Sequence, residues 1–501
     1  MINAERKIFF FALVVVSGFI FLPDFPPMVD VPQHVAQATA LKAILQGNFL
    51  WSDFTETNYF IPYWGSIGIL CLLNFIFPIQ TATNILLVAS FLSFVLCFSF
   101  LRRKAGAPEV LDWLLIPAFF GFAYEWGFLP FIVASSLIGC WFYYINMKFA
   151  QRLDARFAIY VFVLGGALLF AHLLAFCFFA LASVVHLLLS KRSWKISELI
   201  YMTIPWIGLS VLFIILFIGA NPLAKYSVLP TEFALWKPIM EKFLLFPRYS
   251  LSSGLQYIAQ CSIFIAMVCS PFLMGYRLSR NITSYSMLIA FFIIWFGFPN
   301  YAVRTFFIQE RFHLFFIPAY IMCFEHGSAS LQHMRIRMAS GLLFISALGA
   351  MYWPLYNLYF FRQESSDFMG LIEDLPKGKR ALSLIYNTNS GSVKTSHVFV
   401  HFPVWYQAMK DGWVDYNFAW TSPQIRFKVD RVPEFPPGIA EWRPGMVLST
   451  ISNCDIYDLI FMKVDLANAE KDLEKSIEQT ACSGHRFYRN GGNWYVFKKQ
   501  E

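Results

Sequence analysis

The chain has 501 residues, of which 57% are hydrophobic, 19% aromatic and only 14% charged, and its mean hydropathy is +0.54. This composition excludes an ordinary soluble globular protein and indicates a polytopic α-helical membrane protein. The net charge of +8 comes mostly from short loops between apolar segments. It therefore reports membrane topology, and no basic stripe typical of nucleic-acid binding is present.

Apolar runs long enough to cross a hydrocarbon core recur until about residue 361. Placing the clusters of Lys and Arg in the cytoplasm predicts about eleven transmembrane helices with a cytoplasmic N-terminus. The predicted spans are 8–23, 81–101, 109–124, 128–147, 157–171, 174–190, 199–219, 256–276, 283–298, 311–326 and 338–361. The apolar run 61–77 is interpreted as a helix within the first outer loop, since counting it as a span would invert every later loop.

The composition becomes polar after residue 361. The sequence therefore predicts a transmembrane domain over residues 1–361, with amphipathic helices in the first outer loop at 24–80, and a soluble extracytoplasmic domain over residues 362–501.

The first outer loop places an acidic and an imidazole side chain at a membrane surface. Pro32 suits the first turn of a helix, and the apolar pattern of residues 31–46 predicts an amphipathic helix that Gly47 ends. Asp30 and His34 then lie about one turn apart at its start. The alternative is that Asp30 caps the helix and His34 is a solvated surface residue.

Other ionisable residues also fall on the predicted outer face. Glu125 lies between two apolar spans, so it is either buried with a partner or lines a hydrated cavity. His172 stands where two spans meet, and a hydrogen bond that closes this hairpin explains it as well as any chemistry does. Asp24 lies in the first loop.

Arg304 and Arg311 precede the tenth predicted span and depart from the positive-inside pattern. A lipid phosphate explains arginines at the outer boundary, because guanidinium groups bind phosphate oxygens and stay charged when partly desolvated. The alternative is a structural ion pair, either Arg311–Glu310 or Arg304–Glu125.

With these features the sequence resembles the GT-C superfamily of integral-membrane glycosyltransferases, which use polyprenyl-phosphate-linked sugars. The resemblance is carried by the span pattern, by Asp30-Val31-Pro32-Gln33-His34, by Tyr124-Glu125-Trp126-Gly127, by the His172 hairpin and by the late arginine loop. Paired acidic residues in the first loop, an Asp-x-Asp in the second and a Trp-Trp-Asp tripeptide are missing, so the subfamily and the sugar stay open.

The resemblance implies that Asp30 is the catalytic acidic residue, with His34 or Glu125 positioning the acceptor hydroxyl. It implies that Arg304 and Arg311 bind the lipid phosphate. The further candidates are Glu310, His172 and Asp24.

The reaction that this implies is transfer of a sugar from a polyprenyl-phosphate donor to an acceptor hydroxyl, by inverting displacement at the outer face of the membrane. The acceptor is a glycan, a lipid or a protein. No cofactor or metal site is predicted, because arginines can neutralise the departing phosphate, although a divalent metal would be compatible.

The implied location is a bacterial inner membrane, with the C-terminal domain in the periplasm. The competing hypothesis is a transporter or flippase of a lipid-linked or small polar substrate.

The outer domain has the composition of a small α/β domain. Strands are predicted at 380–386, 397–402, 457–462 and 494–497, a helix at 466–481, and a proline-rich loop at 421–444. The aromatic residues at 401–406, with Trp413 and Trp420, are interpreted as core, with sugar stacking as the alternative. An oxidising compartment would permit a Cys454–Cys482 disulfide, but sequence alone does not set the distance between the two cysteines.

Overall fold

The structure is a computed structural model that describes residues 2–59, 61–191, 193–220, 233–252, 254, 256–302, 305–327, 333–394, 397–420, 424–466 and 468–500. Its α-helices, in chain order, are α1 Ile2–Phe21, α2 Val31–Leu45, α3 Trp64–Asn74, α4 Ile79–Ala105, α5 Leu115–Ala118, α6 Phe122–Trp126, α7 Leu129–Ser135, α8 Ile138–Phe142, α9 Ala155–Ala171, α10 Leu173–Ser190, α11 Ile196–Ala220, α12 Ile239–Ser250, α13 Tyr257–Leu273, α14 Ser286–Gly297, α15 Ile308–Arg311, α16 Phe316–Ile321, α17 His333–Glu364, α18 Ser366–Glu373, α19 Val404–Lys410, α20 Pro437–Ala440, α21 Pro444–Thr450 and α22 Glu470–Glu478.

The strands are β1 Thr55–Thr57, β2 Ala234–Leu235, β3 Arg277–Leu278, β4 Tyr301–Ala302, β5 Thr305–Phe306, β6 Phe324–Glu325, β7 Arg380–Ile385, β8 Trp413–Val414, β9 Ile425–Phe427, β10 Leu459–Lys463, β11 His485–Gly491 and β12 Trp494–Lys499. Short 3₁₀ segments lie at Glu109–Leu114, Phe149–Gln151, Ile282–Tyr285, Phe312–Phe315 and Phe418–Trp420, and a π-helical segment at Tyr143–Lys148.

The chain divides into two units. Unit 1 contains residues 1–21, 86–215 and 231–356, and unit 2 contains residues 22–85, 216–230 and 357–501. The division near residue 357 lies close to the predicted boundary at 361. The sequence did not predict, however, that the first outer loop belongs to the same unit as the C-terminal part of the chain.

Four helical segments among the described residues are long and apolar enough to cross a membrane: Ile79–Ala105, Leu173–Ser190, Ile196–Ile215 and Ile336–Glu373, the last of which combines most of α17 with α18. The bent pair Leu129–Ser135 and Ile138–Gln151 adds a fifth if it is one span. The chain therefore has the helices of an integral membrane protein. Several predicted spans are short or broken, as at 109–124, where a 3₁₀ segment, α5 and α6 follow one another. The number eleven thus stays a prediction.

The apolar run 61–77 forms α3, which has eleven residues. At about 1.5 Å per residue, this helix is too short to cross a hydrocarbon core. It belongs to unit 2, where it packs against α2. The placement of this helix within an outer loop stays a prediction.

Helix α2 begins and ends where the sequence predicts. Pro32 lies in its first turn, Gln46 follows its last residue, and Gly47 has a φ of +72°, which favours glycine. Most of α2 is buried inside unit 2 between α3 and α19. Its polar residues Gln33 and Gln37 therefore contact protein groups instead of water.

The core of unit 2 includes a five-stranded sheet in the order β11-β12-β10-β7-β8. Strand β7 is parallel to both β10 and β8, whereas β12 is antiparallel to β10 and β11. The predicted small α/β domain is therefore present. Cys454 and Cys482 form a disulfide beside this sheet, with their Cα atoms 5.0 Å apart.

The predicted strand at 397–402 is wrong, because this segment forms consecutive turns that lead into α19. His397 has a φ of 70°, a left-handed conformation that does not continue a strand. The predicted helix at 466–481 is shorter, at Glu470–Glu478. The proline-rich stretch 421–444 contains β9 and α20, and its residues 421–423 lie outside the described part of the chain.

The aromatic residues of this domain form core. Trp405, Tyr406 and Trp413 are fully buried, and the ring of Phe25 from the first outer loop lies 4.8 Å from that of Trp405. Rings so enclosed cannot stack on a sugar, so the core interpretation is the one that the structure supports.

Candidate functional site

Asp30 is the residue that immediately precedes α2, and its side chain does not cap the helix. Its Oδ1 instead lies 3.4 Å from Nε2 of His401, in the turn before α19. Both side chains are largely buried, with exposed fractions of 13% for Asp30 and 9% for His401. A buried carboxylate needs a charged or hydrogen-bonding partner, and His401 supplies one.

The other nitrogen of His401 has two neighbours. Gln33 Nε2 lies 2.9 Å from His401 Nδ1, and Glu441 Oε1 lies 3.6 Å from the same atom. Gln33 is held in place because its Oε1 accepts a hydrogen bond of 2.8 Å from the backbone N–H of Phe418. Asp30, His401 and Glu441 thus form a carboxylate–imidazole–carboxylate chain within unit 2.

Burial and the neighbouring carboxylates shift the pKa of His401 in opposite directions. Burial tends to lower the pKa of His401, but Glu441 and Asp30 together outweigh it, so the pKa is raised. Burial raises the pKa of the Glu441 carboxyl and nearby Asp30 adds to this effect, although His401 opposes it. The folded chain therefore holds protons on both groups more tightly than isolated side chains do.

A cavity of about 10 Å³ borders Glu441, lined also by Ser383, Ile385, Val400, Val404, Tyr416 and Ala440. This volume is at the lower limit for a single water molecule. The contact that connects Glu441 with Asp30 is the one that it makes with His401. Within the described ranges, no three side chains of His, Cys, Asp or Glu are arranged to share a metal ion.

The two other predicted residues of the first outer loop lie in different surroundings. His34 is half-buried in α2, and its ring lies edge-on to that of Phe418 at 5.4 Å. Asp24 is exposed. Of the three acidic and imidazole side chains that the sequence selected in this loop, Asp30 is the one that contacts His401.

Unit 1 holds a second group of polar side chains. Glu125 is buried in α6, and its Oε1 accepts a hydrogen bond of 2.6 Å from the Ser252 hydroxyl. The backbone carbonyl of Ser252 in turn accepts from Gln260. Glu125 is therefore buried with partners, which is one of the two environments that the sequence left open.

Glu310 is completely buried in α15 and pairs with Lys237, whose Nζ lies 3.3 Å from its Oε1. Lys237 also donates a hydrogen bond of 2.6 Å to the Tyr249 hydroxyl. Helix α6 contacts both α12 and α15 in unit 1, so Glu125 lies on an element that contacts those of Tyr249 and Glu310.

Arg311 does not form the ion pair with Glu310 that the sequence offered as an alternative, since Glu310 pairs with Lys237. The Arg311 guanidinium lies 3.6 Å from the centre of the Phe128 ring and donates to the carbonyls of Phe306 and Phe307. Arg304 lies outside the described residues. His172 Nδ1 accepts from the backbone N–H of Leu174 and so caps the N-terminus of α10.

The sequence does not identify His401, Lys237 and Ser252 as partners of the selected carboxylates, or Glu441 as the second carboxylate beside His401. In the sequence, His401 belongs to an aromatic stretch and Glu441 to a proline-rich one. No spacing joins His401 to Asp30, because the two residues lie near opposite ends of the chain.

No family model matches the chain, and no curated protein matches it. Among solved structures, the chain is similar to ArnT from Cupriavidus metallidurans in the apo state, with 10% sequence identity, a TM-score of 0.55, and coverage of 99% of this chain and 98% of that one. A structure of the same protein bound to undecaprenyl phosphate matches with 11% identity, a TM-score of 0.39, and coverage of 98% and 97%. The first match shows that this chain has the fold of that ArnT structure along its length.

Proposed function

We propose that this chain, which has the ArnT fold, is an integral-membrane glycosyltransferase of the bacterial inner membrane. It transfers a sugar from a polyprenyl-phosphate-linked donor to an acceptor hydroxyl by inverting displacement at the outer face. The observation that carries this proposal is the buried carboxylate of Asp30, held by the His401 imidazole within that fold.

Asp30 has the chemistry of a general base. Its carboxylate takes the proton of the acceptor hydroxyl as the oxygen attacks the anomeric carbon, and the bond from that carbon to the phosphate oxygen breaks. The electron pair of that bond leaves with the polyprenyl phosphate. Asp30 suits this role because its side chain is fixed by a partner yet keeps a small exposed surface.

Unit 1 supplies the groups suited to the donor. Arg311 presents a guanidinium that an aromatic ring and two carbonyls hold in place, and such a group can neutralise a departing phosphate. Arg304 is proposed for the same role from its place in the sequence. Glu125 is proposed to position the acceptor, and Glu310 to fix Lys237.

The test is sugar transfer and sugar release from labelled polyprenyl-phosphate sugars by the full chain in lipid nanodiscs. We expect Asp30→Asn to lower turnover at least about 100-fold and Arg311→Gln to weaken donor binding. Asp53→Asn is the matched control, because Asp53 is an exposed carboxylate of the same loop and its variant should retain turnover.

Absence of turnover with every donor, together with donor binding by Asp30→Asn equal to that of the parent, would overturn the proposal. Transport of the labelled donor across sealed vesicles is measured in parallel. Transport without sugar transfer would favour a transporter or flippase.

A further inference from the structure

We propose that His401 is the positioning residue for Asp30, and that Gln33 and Glu441 determine its tautomer and charge by competing for its Nδ1. This inference rests on the proposed function, since it assigns Asp30 as the base. It concerns three side chains of unit 2 that the sequence did not connect with the reaction.

The first step of the argument is the contact between His401 Nε2 and Asp30 Oδ1, at 3.4 Å. A carboxylate oxygen only accepts, so Nε2 must carry the proton for this contact to be favourable. The contact restricts the rotamer of Asp30 as well as its charge. A base held in one orientation avoids the cost of ordering its side chain during the reaction.

The second step is the orientation of Gln33. Its Oε1 accepts from the backbone N–H of Phe418 at 2.8 Å, so its amide nitrogen faces His401 Nδ1 at 2.9 Å. An amide nitrogen only donates, and Nδ1 must therefore be unprotonated when this bond forms. Gln33 thus selects the neutral imidazole with its proton on Nε2.

The third step is Glu441, whose Oε1 lies 3.6 Å from the same Nδ1. A carboxylate favours a proton on Nδ1, and so favours the imidazolium over the neutral ring. Gln33 and Glu441 therefore stabilise opposite protonation states of one atom. A small movement of the ring or of Glu441 changes which partner is engaged.

Within the part of the chain that the structure describes, few other charges face His401. Asp30 faces it from the position before α2, Gln33 from α2, and Glu441 from the residue that follows α20. The ring of Phe418 lies edge-on at 5.9 Å, and His34 of α2 contacts the same Phe418 ring. Among the described residues, Asp30 and Glu441 are thus the charged groups in contact with His401.

The protonation state of His401 determines whether a positive charge lies beside the Asp30 carboxylate. A neutral imidazole that donates through Nε2 orients the carboxylate without adding a charge. An imidazolium adds a positive charge there, and a positive charge opposes the transfer of a proton from the acceptor to the carboxylate. Turnover should therefore rise with pH as His401 loses its proton.

The experiment compares the pH dependence of kcat in the full chain in nanodiscs. We expect Glu441→Gln to move the midpoint of this rise down by about one pH unit, since a nearby opposite charge is removed. His401→Ala should lower kcat about 100-fold. His401→Gln, which can still donate toward Asp30, should retain more turnover than His401→Ala and lose the rise with pH. His397→Gln, in the same loop, is the control and should match the parent.

A second measurement separates this inference from the proposed function. The ¹⁵N resonances of His401, assigned by their loss in His401→Gln, should show a protonated Nε2 and an unprotonated Nδ1 at high pH. The pH midpoint of their titration should be lower in Glu441→Gln than in the parent, and the chemical shift of Nδ1 should change in Gln33→Leu. Resonances insensitive to both variants would overturn the inference even if turnover is normal, whereas the predicted resonances without any turnover would contradict only the glycosyltransferase.

Discussion

Gln37 forms two hydrogen bonds with the backbone of Ile425: its Nε2 donates to the carbonyl at 3.0 Å, and its Oε1 accepts from the N–H at 2.8 Å. Gln33, one turn earlier on α2, accepts a hydrogen bond through its Oε1 from the backbone N–H of Phe418. Two glutamines of the first outer loop thus complete the hydrogen bonding of a segment almost four hundred residues later. This pairing explains why residues 22–85 and 357–501 form one unit.

Gln37→Leu should destabilise unit 2, because it leaves a buried backbone N–H and a carbonyl without partners. The expected loss is about 1–3 kcal/mol, measured as a lower thermal midpoint of the purified chain. Gln479→Leu is the control, since Gln479 is exposed in the same unit. Equal midpoints for the two variants would show that the Gln37 pairing contributes nothing.

Residues 362–501 should not fold cooperatively when expressed alone, even though the sequence marks them as a domain. In the full chain Phe25 is fully buried, with its ring 4.8 Å from Trp405 and 5.3 Å from Phe402. The isolated segment lacks Phe25 and α2, so these aromatic side chains become exposed to water. We expect the isolated segment to show a weak near-ultraviolet circular dichroism signal and a broad thermal transition, because its aromatic core is no longer closely packed. A sharp transition with native-like signals would contradict it.

Phe25→Ala in the full chain tests the same contact by removing a single ring. The loss of a buried phenylalanine should cost about 3–5 kcal/mol, measured by thermal unfolding. Tyr488→Ala provides the comparison, because Tyr488 lies on the surface of the same unit and is 43% exposed. We expect its midpoint to stay within experimental error of the parent.

Reduction of the Cys454–Cys482 disulfide should lower the stability of unit 2. The bond closes a loop with a sequence separation of 28, for which the loss of loop-closure entropy in the unfolded chain predicts about 3.5 kcal/mol. Dithiothreitol should lower the thermal midpoint of the parent and leave that of the Cys454→Ser, Cys482→Ser double variant unchanged. An equal response of both proteins would assign the effect to another cause.

The stability of the parent should fall more steeply with rising pH than that of Glu441→Gln. Because its pKa is raised, His401 contributes stability that is complete below its ordinary value of 6.5 and is lost as the pH rises through the raised value. Glu441, raised from 4.5, acts with the same sign. The variant lacks the Glu441 contribution and has a less perturbed His401. Thermal midpoints recorded between pH 5 and 9 should therefore diverge, and parallel curves would refute the explanation.

In unit 1, Lys237→Met should destabilise the protein by about 3–5 kcal/mol, since it leaves the buried Glu310 carboxylate without its cation. Adding Glu310→Gln to the same chain should restore much of that loss, because a neutral amide needs no counter-ion. The two thermal midpoints in nanodiscs provide the comparison. A double variant no more stable than Lys237→Met would show that charge is not the reason.

Features that depend on local pattern could be predicted from the sequence alone. Long apolar runs identify the helices suited to a membrane, since each residue must satisfy its backbone within its own helix there. Pro32 and Gly47 bound α2 because their backbone preferences act at single positions. Strands β7, β10 and β12 follow from runs of β-favouring residues. The same reasoning failed at 397–402, where the left-handed backbone of His397 overrides the composition.

Which side chains meet depends on the folded structure. Asp30 could be selected from the sequence because an acidic group follows an apolar span, but its partner His401, and Glu441 on the other side of that ring, lie near the other end of the chain. Lys237 and Glu310 are also far apart in the sequence. Contacts at such separations depend on how buried surfaces of many elements fit together, and no periodicity in the sequence records that fit. The sequence therefore identified which carboxylates to consider. Their orientation, their partners and the effect of those partners on their charge depend on the folded structure.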